Sequence, residues 1–286
     1  MKRLVMSLVW CLLFAARALA QGTYTQIDVP GAAQTFAIGI NSGGEISGSY
    51  IDNTVNNVHG FFLSGGIFTT VDYPGSSNTS LYKMNDIGQL VGVSLAPVPV
   101  GFLYDTANKS FTVISYPGSD TTSPEDVNNK GTIVGFYEVG RKSFGFELHG
   151  STYITIPAPK GRSSAALGIS SRGEIVGEFS AGDVVNFVLY RGKYEFLTLP
   201  NRLRPGVFGI NGSGTEFVGS YAPVSGSVAG FVADRTLGFE ELQFPGSGNS
   251  TSASGVNDAG VVVGTYTDPN IVGHGFIWTP PAANLN

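Results

Sequence analysis

From position 24 onward, apolar residues fall in short runs, each cut by Gly, Pro, Asn, Asp or Ser. No window keeps an i, i+3, i+4, i+7 apolar pattern without a Gly or Pro breaking it, so the pattern predicts strands and turns. Several runs, such as Val261-Val262-Val263, are apolar at consecutive positions. A strand with one wet face would alternate, so these strands are expected to be covered on both faces.

The runs repeat. Three marks recur six times in constant order. A proline ends an apolar run at Pro30, Pro74, Pro117, Pro157, Pro200 and Pro245, at spacings of 44, 43, 40, 43 and 45 residues. A glycine closes a later run at Gly48, Gly92, Gly135, Gly177, Gly219 and Gly264, and a phenylalanine follows at Phe61, Phe102, Phe146, Phe187, Phe231 and Phe276. Within a unit, Phe68 to Tyr73 reads as a strand that Pro74 ends, because proline cannot donate to a ladder. Leu81 to Met84 leads into Asn85-Asp86-Ile87-Gly88, a tight turn with Asn first and Gly at a left-handed position. Gln89 to Val93 and Gly101 to Tyr104 complete four strands. In unit four Ser170 replaces the turn Asn, and unit five has an extra residue at Thr215-Glu216, expected as a bulge.

Four strands per 40–45 residues match a propeller blade. The expectation is an all-β, six-bladed β-propeller with repeats at about 24–67, 68–110, 111–150, 151–193, 194–238 and 239–279. The first unit, from Tyr24 to Val29, lacks a preceding Phe strand, and the last, from His274 to Trp278, lacks a following Pro strand. These terminal strands are expected to pair and close the ring; an open array would need capping units.

The first 20 residues differ from the rest. Lys2 and Arg3 precede an apolar run from Leu4 to Phe14, and Ala18-Leu19-Ala20 supplies small residues for cleavage. This reads as a signal peptide at 1–20, too short to span a bilayer, ahead of a single domain at 21–286 and a secreted or periplasmic product. The only cysteine, Cys11, lies in that segment, so the mature chain has no disulfide. Loss of the segment removes Lys2, Arg3 and Arg17 and moves the net charge from −5 to −8. That acidity argues against nucleic acid and against membrane association after cleavage.

The repeat resembles the HAF-repeat family of extracellular bacterial proteins. That family's His-Ala-Phe strand has counterparts in His59-Gly60-Phe61 and His274-Gly275-Phe276. Its Ile-Asn-x-x-Gly-x-Val-Val-Gly segment has counterparts in Ile40-Asn41 through Gly48 and Val256-Asn257 through Gly264. The likeness spans roughly residues 24 to 279. Here Gly replaces the Ala, His is missing from four units, and Pro-Gly follows the first strand. The resemblance implies secretion and a bladed β fold, and implies no activity.

Chemistry is sparse. There is no Gly-x-Ser-x-Gly elbow, phosphate loop or dinucleotide fingerprint. His59 and His274 share a repeat position and would be neighbours in a closed ring, but no third ligand recurs with them, so they read as polar edge residues and not as a metal site. Glu45 and Glu174 share a position three units apart, too far for glycosidic acid–base work. Asp86 and Asp258 sit in turns, where Asp is favoured for local bonding, and Asp28 and Asp72 precede the last residue of first strands. All six carboxylates are expected to be structural. The sequence identifies no catalytic, cofactor-binding or metal residue and implies no cofactor. The polar loops Ser76 to Ser80, Ser119 to Ser123 and Ser247 to Ser252 are the candidate recognition segments, although solvated turns would look the same. Asn-x-Ser/Thr triplets at Asn78, Asn108, Asn211 and Asn249 follow from composition and matter only in a glycosylating host.

The expected function is a non-catalytic scaffold that binds a glycan or surface protein. The alternatives are a glycan-active hydrolase or lyase with carboxylates converging on a channel mouth, and a surface-layer or adhesin component.

Overall fold

The structure, a computed structural model, describes residues 22–281 apart from 96, 199–204, 223–225, 236–237 and 249. The signal peptide expected at 1–20 lies outside the described residues. The described chain forms six antiparallel sheets of four strands each and no helix. It is a six-bladed β-propeller. Blades one to five span residues 32–71, 79–114, 121–155, 163–196 and 206–242. Blade six takes 250–279 and adds 23–27 as its outermost strand.

The first strand of every blade is innermost. These six strands neighbour one another in turn and surround the axis. The sequence unit beginning at Phe68 therefore opens on the outermost strand of the preceding blade, and unit and blade are out of step by one strand. That offset closes the ring. Thr23–Ile27 has no blade of its own ahead of it and pairs antiparallel with the last strand, Tyr24 opposite Trp278 and Gln26 opposite Phe276. Tyr24 also packs edge-on against Phe244 and accepts the Gln243 N–H at 3.0 Å.

Each recurring mark has a physical role. The six phenylalanines are all completely buried and centre the clusters packed between blades. Burying each contributes on the order of 2–3 kcal/mol. At the six recurring glycines, a Cβ would collide with a carbonyl oxygen of the innermost strand, such as Ser123 O for Gly135 and Ser252 O for Gly264. The turn glycines, from Gly44 to Gly260, have φ between 73° and 88°, a region that favours glycine. The turn asparagine or serine accepts the N–H four residues on, as Asn85 Oδ1 does from Gln89 at 2.9 Å. In unit five, Asn211 Oδ1 accepts from both Thr215 and Glu216. The extra residue widens the turn and does not bulge the strand after it. Every innermost strand does carry a bulge, near Ile38 in blade one and Glu125 in blade three.

Candidate functional site

The two ends of the axis differ. At one end the six Asn-type turns converge on a narrow vestibule of about 60 Å³. The turn side chains link one blade to the next. Asn85 Nδ2 donates to Asn128 O at 3.0 Å, Asn128 Nδ2 to Ser170 O at 3.1 Å, and Asn257 Nδ2 to Asn41 O at 3.2 Å. Ser170 lacks an amide, and there Ser171 N donates to Gly212 O at 2.9 Å. A second tier lies outside the first. Asp86 accepts from Ser42 N at 2.8 Å and from Asn129 Nδ2 at 2.6 Å, and Asp258 accepts from Ser213 N at 2.7 Å. Burial alone would raise the Asp86 carboxyl, but these donors outweigh it and hold it below the usual range.

The vestibule floor carries the feature that sequence reading missed. The residue two before each turn Asn or Ser is Gly39, Lys83, Asp126, Gly168, Gly209 and Gly255 in blades one to six. Four glycines leave room at the neck of the axis, and one lysine and one aspartate fill it. Lys83 Nζ crosses from blade two to donate to Leu167 O of blade four at 2.6 Å and Phe208 O of blade five at 2.5 Å. It lies 3.8 Å from Asp126 Oδ2. Asp126 in turn accepts the Ile169 N–H of blade four at 2.9 Å. Lys83 is 8% exposed and Asp126 6%. Burial pulls the Lys83 amine down, against the opposing pull of Asp126 and Glu125, and pushes the Asp126 carboxyl up. The adjacent Glu125 accepts from Ser123 Oγ at 2.7 Å, and its carboxyl is pushed by burial to about 7.

The sequence-selected residues are separated by this architecture. His59 lies in blade one between Asp72 (2.9 Å) and Asp52 (3.3 Å), stacked on Tyr50. His274 lies in blade six with Asp28 at 3.0 Å and Asp268 at 4.0 Å, stacked on Tyr266. Their blades adjoin, yet each histidine has its own pair of aspartates. Among the described residues, no group of three or more His, Cys, Asp or Glu is arranged to hold a metal. Glu45 accepts from Asn41 Nδ2 and Ser64 Oγ, and Glu174 pairs with Arg235 Nη2 at 2.8 Å. These two carboxylates stand on opposite blades of the six.

The opposite end carries the Pro-Gly loops and the connections between second and third strands. Within the loops, Thr79, Thr122 and Thr251 are buried and accept the N–H of Tyr73, Tyr116 and Phe244. Those positions hold the loop in place, while Ser77 and Asp120 stay exposed. Around them runs a rim of exposed aliphatics at or beside the second-to-third strand connection of five blades. They are Val55 (66% exposed), Leu95 and Val98, Val139, Val184 and Ile271 (76%).

No family model matches the chain, and no curated protein matches it. Solved structures do resemble it. TolB from Acinetobacter baumannii has a TM-score of 0.60 at 13% identity, covering 82% of this chain and 63% of TolB. The β-propeller domain of the Trilobed protease from Pyrococcus furiosus has 0.55 at 14%, covering 87% and 82%. A gluconolactonase from Xanthomonas campestris has 0.55 at 12%, covering 91% and 90%. This chain thus spans under two thirds of TolB's length. At such identities the likeness concerns fold alone: the chain is a β-propeller.

Proposed function

We propose that this chain is an exported propeller of the HAF-repeat type that binds a surface protein or a glycan through its Pro-Gly face, without catalysing a reaction. The rim of exposed aliphatics on that face carries the reading. Isolated apolar residues on a surface are ordinary, but exposed aliphatics at the same edge of five of the six blades favour a contact surface. The rim favours a protein partner, and the polar loops inside it suit either partner. Support for export comes from the leader-like first 20 residues.

A second reading, a glycan-active hydrolase or lyase, draws on Asp86, Asp126 and Asp258 at one mouth of the axis. Three observations weigh against it. Each of these carboxylates accepts a bond from a neighbouring blade or turn. Asp86 is held ionised, which suits it poorly as an acid. The vestibule is also far below the roughly 300–1,000 Å³ of ordinary ligand sites.

The deciding experiment applies the purified protein to a glycan array and to intact cells of its host, with product analysis on both. Retention without product supports the binding reading, and released product overturns it. The triple variant Val55→Asp/Val98→Asp/Ile271→Asp is expected to weaken retention by about tenfold or more. Unchanged retention removes the rim from the argument.

A further inference from the structure

We propose that Lys83 and Asp126 become joined by an amide bond within the folded protein, Lys83 Nζ to Asp126 Cγ, with one water released. The bond would lock blade two to blade three beside the axis.

The placement fits this chemistry better than it fits a plain ion pair. A buried ion pair needs both charges well supplied with hydrogen bonds and close contact. Here the nearest approach of Nζ to the carboxylate is 3.8 Å, and the two short contacts of Nζ go to the carbonyls of Leu167 and Phe208. Those two acceptors match the two N–H bonds of a neutral amine and leave its lone pair free. Asp126 has its own donors, Val127 N at 2.8 Å and Ile169 N at 2.9 Å, which hold the carboxyl group still and polarise it. Both residues are more than nine-tenths buried. In water an amine and an acid meet as ions, and the ammonium has no lone pair to offer. Burial reverses this, because it favours the uncharged form of each. The surroundings of the pair act in these directions, drawing the amine down and the carboxyl up. Holding both groups in one buried site makes amide formation intramolecular, and a short side-chain movement from the 3.8 Å separation brings Nζ to the roughly 3–3.5 Å of an attacking approach.

The step balances without a further reactant. The Nζ lone pair attacks Asp126 Cγ. The nitrogen loses one proton, the carbon loses its hydroxyl, and the two leave as water into the adjoining vestibule. The proton lost by nitrogen ends on the departing hydroxyl, directly or through solvent in the vestibule. The other four units have glycine at this position, which leaves space for the cross-link and no competing nucleophile. No cysteine follows Cys11, so a disulfide is not open to the residues beyond it.

The test is the intact mass of the purified, folded protein measured after denaturation, together with a trypsin digest. The expected mass is one water below that of the sequence from the observed N-terminus. The digest is expected to lack cleavage after Lys83 and to contain a branched peptide joining the segments around Lys83 and Asp126. The branch distinguishes the bond from a cyclised aspartate, which also loses water. Asp126→Ala is expected to restore full mass. Wild-type protein of full mass with normal cleavage after Lys83 overturns the proposal, and this measurement does not depend on any variant folding.

Discussion

Asn257 donates its side-chain amide to the backbone carbonyl of Asn41 at 3.2 Å, across the seam where the last blade meets the first. The same contact joins Asn85 to Asn128 and Asn128 to Ser170. One residue type in one turn thus does two jobs: its oxygen shapes the hairpin and its nitrogen ties that hairpin to the next. The seam between chain ends is bonded in the same way as the interior joints made by Asn85 and Asn128.

Asn85→Ala is expected to remove both functions and leave buried partners unsatisfied, at a cost of about 2 kcal/mol. Asn85→Asp keeps the turn acceptor, and in its protonated form has an O–H that can replace the donor to Asn128, so its cost should fall between Ala and wild type. Urea unfolding of the three proteins tests the ordering. Equal midpoints for Asn85→Ala and wild type would remove the inter-blade role.

At Gly135 the obstacle to a side chain is backbone, the Ser123 carbonyl, and backbone cannot swing aside. Gly135→Ala is expected to cost about 3 kcal/mol or to shift the strand pair apart. Gly118→Ala, where nothing lies within 4 Å but φ is +80°, should be milder, about 1 kcal/mol. Thermal melts of the two variants compare steric crowding with backbone strain directly.

His59 is predicted to titrate above the ordinary imidazole value. Its partial burial lowers the pKa, and the hydrogen bonds and charges of Asp72 and Asp52 together outweigh that. The folded form therefore holds the proton more tightly than the unfolded one. The resulting stability is fully present below about pH 6.5 and is lost as pH rises through the folded value. Asp72→Asn should lower the His59 pKa in an NMR titration, and His59→Gln should flatten that part of the stability profile. A His59 pKa below that of a model peptide would sink the account.

Lys83→Met leaves Asp126 buried without its partner, a change expected to cost about 3–5 kcal/mol. The double change Lys83→Gly/Asp126→Gly installs the residue that the other four units already use, and should cost less than the single one. Denaturant midpoints decide it, and a double variant less stable than Lys83→Met would show that the pair is needed for more than mutual neutralisation.

Much of the architecture was legible because each mark has one backbone reason. A proline ends a strand, a glycine clears a carbonyl, and a phenylalanine fills the gap between blades, so three residue types fixed the unit, the copy number and the closure. The chemistry of the neck was harder to see. Lys83 and Asp126 break the repeat at one position in adjacent units, and laying Gly39, Lys83, Asp126, Gly168, Gly209 and Gly255 side by side exposes the substitution. The carboxylates singled out from sequence were those that recur, whereas Asp126 and Glu125 occur once. Arg235 carried no periodic signal at all, although it ties blade five to Glu174 and Glu195 of blade four. The aliphatic rim was hidden for another reason: its residues sit in loops of unequal length, where alignment of the units fails.

Pairing Thr23–Ile27 with Gly273–Thr279 sets an order of events. The earliest strand made has no partner until nearly the whole chain exists, so it must wait as an unzipped edge while five blades assemble behind it. The clasp itself is one strand of one sheet, reinforced by the Asn257–Asn41 bond and by the packing of the first blade on the last. Any host that exports this protein must keep that waiting edge from pairing with a neighbour's, or two molecules would trade strands and fasten to each other.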